Sequence, residues 1–179
     1  MSVIERAYFS GGCFWCTEAI YKRLKGVLEV KPGFSGGNIK NPSYREVCTG
    51  RTGHAETVEV IYDSSQIDFQ LLLEVFFKTH DPTTLNRQGN DIGTHYRSIV
   101  FYSNSNEKKL VTNYIEFLNN KIYDNKIVTE IVEFDKFYKA EGYHENYYEL
   151  NKIQPYCDVV ITPKVEKFEK NFKSKLKKD

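Results

Sequence analysis

The chain has 179 residues, of which 40% are hydrophobic and 27% charged, and its formal net charge is +1. That size and mix fit one soluble globular domain spanning 1–179, and the near-zero charge supplies no global field to draw in nucleic acid or an anionic membrane. No apolar run approaches membrane length and Met1 to Arg6 carries no signal-peptide apolar core, so neither membrane nor nucleic acid is expected as a partner and a reducing, cytoplasmic location is.

Ala7-Tyr8-Phe9 predicts a first strand. Gly11-Gly12-Cys13-Phe14-Trp15-Cys16 follows, and then a helix from Thr17 to Lys25 stopped by Gly26. Glycines permit a sharp turn, and the unpaired N–H groups of a first helical turn favour negative charge on a nearby sulfur. Cys13 is therefore the first candidate nucleophile. Cys16 stands in Cys-x-x-Cys spacing, and Phe14 and Trp15 offer an aromatic wall. The plain alternative is a buried, inert cysteine. Val27 to Val30 predicts a second strand, ended by Gly33 and Gly36-Gly37. Residues 35–54 read as an ordered loop with a helical turn near Ser43–Val47.

Glu56, Val58, Val60 and Tyr62 alternate with Thr57, Glu59 and Ile61, the period of a strand. Glu56 falls on the valine face. Burial there disfavours the ionised carboxylate and makes it a plausible proton donor near neutral pH. The alternative is a strand-end glutamate paired with Lys or Arg. Asp68 can cap a helix running to about Thr79. His80 to His95 is a long polar loop leading into a strand, Tyr96 to Tyr102. A helix over about 107–122 and a strand over 127–134 follow. Residues 137–150 are aromatic and partly helical, and Gln154-Pro155-Tyr156-Cys157 breaks them. Pro163 opens a basic C-terminal helix over 163–179, with net charge +4 and a solvated basic face. The order of elements predicts an α+β fold of two layers with a split β-α-β core.

Other residues offer chemistry without a fixed place. Tyr44, Tyr96 (at the predicted strand start) and Tyr102 could donate hydroxyls to a polar ligand. Asp91, in Gly-Asn-Asp-Ile-Gly, is by default an Asx-turn residue. Four cysteines in a reducing compartment point to reactive or metal-binding thiols. The chain has one Cys-x-x-Cys pair, isolated Cys48 and Cys157, and scattered histidines, so no metal is expected. His54 and His144 could partner a cysteine as in cysteine hydrolases, but the sequence places neither beside Cys13.

The stretch from Gly11 to Glu18 closely resembles the signature of A-type peptide methionine sulfoxide reductases. The resemblance continues in order through Gly33-Phe34-Ser35-Gly36-Gly37, Asn41-Pro42-Ser43-Tyr44, Val47-Cys48-Thr49-Gly50 and Gly53-His54-Ala55-Glu56. It resumes at His80-Asp81-Pro82-Thr83-Thr84, Arg87 to Asp91, Gly93 to Ser98, Tyr143-His144 and Gln154 to Cys157. It implies a ferredoxin-like core with an irregular C-terminal extension. It also implies thiol-dependent reduction of the S epimer of methionine sulfoxide, free or in proteins. By resemblance Cys13 attacks the sulfoxide sulfur, Glu56 protonates the oxygen, Tyr44 and Tyr96 hold that oxygen, and Asp91 supports the site. Phe14 and Trp15 cradle the methyl group. The Cys13 sulfenic acid is then resolved by a cysteine. Thioredoxin is the implied external reductant, with no bound cofactor and a monomeric enzyme.

Three departures stand out. Phe34 stands where Tyr is frequent, His95 where Gln is common, and Cys16 where many relatives carry Gly. Cys157 matches the family's tail cysteine, so Cys16 and Cys157 are both resolving candidates. By resemblance Cys157 attacks first and Cys16 exchanges in, with Cys48 a bystander. A general dithiol–disulfide oxidoreductase using Cys13 and Cys16, or a redox-sensing module without turnover, are the competing readings. Neither requires both Cys13 and an acid at Glu56.

Overall fold

The computed structural model describes residues 1–178. In chain order the elements are β1 (Ile4–Ser10), α1 (Phe14–Tyr21), β2 (Val27–Ser35), α2 (Tyr44–Cys48), β3 (Ala55–Asp63) and α3 (Phe69–Thr79). They continue with β4 (Arg87–Gln88), β5 (Asp91–Ile92), β6 (Ile99–Tyr102), α4 (Ser105–Leu118), β7 (Glu130–Glu133), β8 (Tyr138–Lys139), α5 (Tyr147–Leu150) and α6 (Thr162–Asn171). Six strands form one mixed sheet in the order β7-β6-β1-β3-β2-β8, and β4 pairs with β5 apart from it. β1 runs antiparallel to β3 and β6, and β2 antiparallel to β3. β1 and β2 therefore run the same way with β3 between them, and β3 and β6 run the same way with β1 between them. Among the described residues only β6 and β7 pair in parallel.

Alternation along the strands decides what each face buries. Ala7 and Phe9 of β1, Val58, Val60 and Tyr62 of β3 and Val100 of β6 join one core with side chains of α1, α3, α4 and α6. Phe9 is central, its ring 5.2 Å from those of Tyr21 and Phe76. Truncating a buried Phe to Ala typically costs ~3–5 kcal/mol, so this contact set outweighs any single cap. On the opposite face Tyr8, Ala55, Ile99 and Phe101 lie under Phe134 and Phe137. Helices thus cover one face, and the connection after β7 covers part of the other. Local signals agree with this packing. Asp68 accepts a hydrogen bond from Leu71 N at 2.8 Å to start α3, and Ser43 and Glu46 form a reciprocal capping box at α2.

Three predicted boundaries move. β2 does not stop before Gly33 but runs through it to Ser35. A Cβ there would come within 2.4 Å of the Tyr138 carbonyl and the Phe137 ring, so Gly33 admits a neighbouring segment rather than ending the strand. Tyr96 lies not in a strand but in a 3₁₀ turn, Thr94–Tyr96, ahead of β6. The basic helix is also shorter than 163–179. α6 ends at Asn171, a 3₁₀ turn covers Lys173–Lys175, and Asp179 lies outside the described residues. Lys25 N donates to Lys175 O at 2.8 Å and Lys177 N to Arg23 O at 2.9 Å. Leu176 packs on the main core, so pairing with the end of the first helical segment replaces further helix. Among the described residues no helix is long and apolar enough to cross a membrane.

Candidate active site

β1 delivers the chain to Gly11 and Gly12. Gly12 adopts φ +81°, which favours glycine, and a Cβ there would meet the Gln88 side chain at 2.7 Å. Its N–H donates to Tyr96 O at 3.1 Å. Cys13 then takes an extended conformation as the N-cap of α1, and its carbonyl accepts from Cys16 N at 3.1 Å. The helix begins at Phe14, three residues earlier than the sequence suggests, so both cysteines sit at its start. Both are buried.

The first amide of α1 is used by Glu56 rather than by the Cys13 sulfur. Phe14 N donates to Glu56 Oε1 at 3.1 Å. β3 holds Glu56 on the core face at 1% exposure, and its Oε2 has no hydrogen-bond partner among the described residues. No Lys or Arg pairs with it among those residues. Burial pushes its carboxyl up to about 8, against the opposing effect of the Phe14 N–H. At neutral pH it is a carboxylic acid.

Electrostatics at Cys13 reverse the simple helix-start expectation. Burial, then the hydrogen bond to Cys16 and the charge of Glu56, push the Cys13 thiol well up, and the Trp15 backbone N–H opposes them. The Cys16 sulfur is held down chiefly by the hydrogen bond from Cys13. At Cys13 burial outweighs the opposing Trp15 N–H.

Tyr44 opens α2 and Tyr96 closes the 3₁₀ turn. Burial first, and next the charge of Glu56, push both phenols far up, so both are neutral donors facing the same carboxyl. Tyr102 is not part of this group: Lys108 lies over its ring at 5.3 Å. Asp91, on β5, accepts from Tyr156 Oη at 2.5 Å, and its charge acts on both Glu56 and Cys16. Tyr156 is the residue that reasoning from sequence left without a role. Its only signal is its place in Gln-Pro-Tyr-Cys. It also helps hold the Cys16 thiol down.

Phe14 is fully buried with its ring 5.7 Å from Phe34, while half-buried Trp15 stacks on Tyr147 at 3.7 Å. Trp15 Nε1 donates to His144 Nδ1 at 3.0 Å, and burial keeps that imidazole neutral by lowering its pKa. His144 is thus the partner of Trp15. His54 accepts from Gly37 N at 3.0 Å and donates from Nε2 to Ile39 O at 2.7 Å, so it staples the glycine loop. Neither histidine serves Cys13. Cys157 is fully buried in a π-helical turn, Cys157–Ile161, and packs with Cys13, Cys16, Ala19 and Tyr148. All four cysteines are free thiols. Cys48, at the end of α2, has its thiol pushed up by burial and by the charge of Glu56, and a donor atom of each lies within 4.8 Å of the other, so the fold brings it to the site.

The model of the family described as "Peptide methionine sulfoxide reductase" matches residues 5–176. The peptide methionine sulfoxide reductase MsrA of Saccharolobus solfataricus is 54% identical over 174 residues, 97% of this chain and 98% of that protein. Methionine sulfoxide reductase A of Corynebacterium diphtheriae superposes with a TM-score of 0.80 at 36% identity, covering 84% of this chain and 76% of that one. Mxr1 from Saccharomyces cerevisiae in reduced form gives 0.79 at 34% identity, covering 86% and 89%. The same yeast protein in complex with Trx2 gives 0.56 at 25%, covering 80% and 84%. With a buried acid, two neutral tyrosines and a paired thiol gathered at one helix start, the chain belongs to the peptide methionine sulfoxide reductases, oxidoreductases that return methionine sulfoxide to methionine.

Proposed function

We propose that Cys13 is the nucleophile and Glu56 the acid in reduction of the S epimer of methionine sulfoxide, within a single catalytic domain over 1–179. The observation that carries this reading is the Phe14 N–H bond to a buried, protonated Glu56 immediately beside Cys13. Glu56 transfers its proton to the sulfoxide oxygen as the Cys13 sulfur attacks the substrate sulfur, and the Cys13 proton returns to the carboxylate. The sulfur–oxygen bond of the substrate breaks as a bond between the two sulfurs forms, and that bond breaks in turn as the hydroxyl passes to Cys13, leaving methionine and a Cys13 sulfenic acid. Methionine sulfur gains two electrons and Cys13 loses two. Tyr44 and Tyr96 donate to the oxygen, Asp91 supports Tyr156, and Trp15 with Phe14 receives the methyl group.

Cys16 then attacks the sulfenic sulfur, releasing water and closing a Cys13–Cys16 disulfide. Cys16 shares the helix start with Cys13 and its thiol is held down, whereas burial raises the thiol of Cys157. That order reverses the one the resemblance implies. Cys157 exchanges in and offers a disulfide to thioredoxin, a partner supported by the yeast relative's structure with Trx2. Disulfide exchange alone has no use for a buried acid. The deciding experiment mixes reduced enzyme with each epimer and measures methionine formed and free thiols lost in one turnover. The reading expects one methionine and the loss of two thiols from the S epimer only, and equal yields from the R epimer overturn it.

A further inference from the structure

Cys48, Glu56 and His95 come from α2, β3 and the 3₁₀ turn before β6, far apart in sequence. One donor atom from each falls within 4.8 Å of the others. The three supply sulfur, carboxylate oxygen and imidazole nitrogen. That set suits a borderline divalent cation such as zinc, and three protein donors leave a fourth position for water. Tetrahedral zinc holds its donors about 3.3–3.8 Å apart. Binding therefore draws the donors together by up to about 1.5 Å, and Cys48 is exposed at the end of α2.

A second observation is independent of the cluster. Glu56 Oε2 and His95 Nδ1 are both buried without a hydrogen-bond partner among the described residues, and the side chains that bear them are 1% and 7% exposed. Buried polar atoms left unpaired are costly and are ordinarily satisfied by protein, water or an ion. Cys48 lies where an entering cation meets solvent first, and Glu56 lies at the inner end.

We propose that Cys48, Glu56 and His95 form a zinc-binding site whose occupancy reversibly blocks sulfoxide reduction. Binding displaces the Cys48 thiol proton and the Glu56 carboxyl proton to solvent, and no electron moves. The carboxylate then serves the metal and holds no proton for the substrate oxygen. The inhibition rests on Glu56 being the acid, while the binding does not.

The test uses the reduced full-length chain with cobalt(II) as a spectroscopic probe and zinc against a chromophoric chelator. Wild type is expected to bind one ion, with thiolate-to-cobalt charge transfer and the visible bands of a tetrahedral site. Cys48→Ser should abolish the charge-transfer band, and His95→Gln should weaken binding by at least ~10-fold. Cys13→Ser should keep the band. If Cys48→Ser binds as wild type does, or if Cys13→Ser loses the band, the Cys13–Cys16 pair holds the ion and the proposal fails. One equivalent of zinc should stop single-turnover methionine formation in wild type, and chelator should restore it. Cys48→Ser, compared with its own metal-free rate, should resist; equal inhibition overturns the site. A full metal-free rate in Glu56→Gln would instead overturn the acid assignment, and the cobalt band would stand.

Discussion

Glu56 lies on a long regular strand and Cys13 stands just beyond the end of another, whereas Tyr156 and Cys157 arrive on a stretch of short turns. β1 pairs with β3 from Ile4↔Asp63 to Phe9↔Val58, and Glu56 lies in register with Phe34 of β2. Their positions follow from ladders that tolerate little displacement. The segment from β8 to the Cys157 turn is held instead by side chains: Asn146 N on Glu18 Oε2 at 3.2 Å, Trp15 on His144, and Tyr148 with Thr162 at 2.8 Å. On the proposed reading the chemistry divides in the same way: the acid, Glu56, sits on the ladder with the nucleophile just past its end, and Cys157, the thiol that must exchange partners, sits on a segment with fewer backbone ties.

Four of the five expected effects bear on that division through the chemistry. The largest is Cys13→Ser, expected to abolish methionine formation because a hydroxyl is a far weaker nucleophile toward sulfur, with single-turnover assay as the check. Glu56→Gln should lower the single-turnover rate by ~10²–10⁴-fold. In wild type the acid form is lost as pH rises through about 8, so the rate should fall along an alkaline limb that the variant lacks. An unchanged limb in Glu56→Gln assigns it to another group. The Tyr44→Phe/Tyr96→Phe double variant should lose about 10²-fold, clearly more than either single change, since each removes a donor to developing negative charge.

On the C-terminal side, Cys157→Ser should leave the first turnover intact, trap a Cys13–Cys16 disulfide and slow only steady turnover with thioredoxin. Cys16→Ser should instead accumulate sulfenic acid, read by thiol counting and mass mapping. A Cys13–Cys157 bond formed at the wild-type rate in Cys16→Ser would remove the ladder-side thiol from first place. The smallest effect is on stability. Folding raises the Glu56 carboxyl from an ordinary 4.5 to about 8, so the unfolded chain loses its proton first and stability falls as pH climbs between those values. Glu56→Gln removes this slope. Denaturant titrations at pH 6 and pH 8 should therefore show wild type losing more than the variant, by on the order of 2 kcal/mol.

The same division explains what could be read from the chain alone. Cys13 and Glu56 were visible because a glycine turn into a helix and a period-two strand are local patterns. The strand face of Glu56 followed from Val58 and Val60, with no knowledge of its neighbours. Asp68 and Ser43 announced their helices through capping chemistry that spans three residues. Tyr156 had no such signal, because its hydrogen bond to Asp91 joins residues 65 positions apart across an irregular path. Cys48 and His95 look scattered for the same reason: a loop's course decides their meeting, and loop residues carry no periodicity. Gly33 and the tail after Asn171 misled because local propensity argued for an end and a continuation, while close approach of β8 and pairing with Arg23 and Lys25 decided otherwise. The thiolate expectation at Cys13 failed on a quantity a sequence does not state, the depth of burial.

Trp15 is the only tryptophan in the chain, and it stacks on Tyr147 while its indole N–H is committed to His144. It thereby joins α1, which Cys13 caps, to the segment that carries Cys157. All indole emission from this protein originates at that seam. Intensity and wavelength changes on addition of substrate or reductant therefore report on this contact optically, with no label attached and no indole background from elsewhere in the fold.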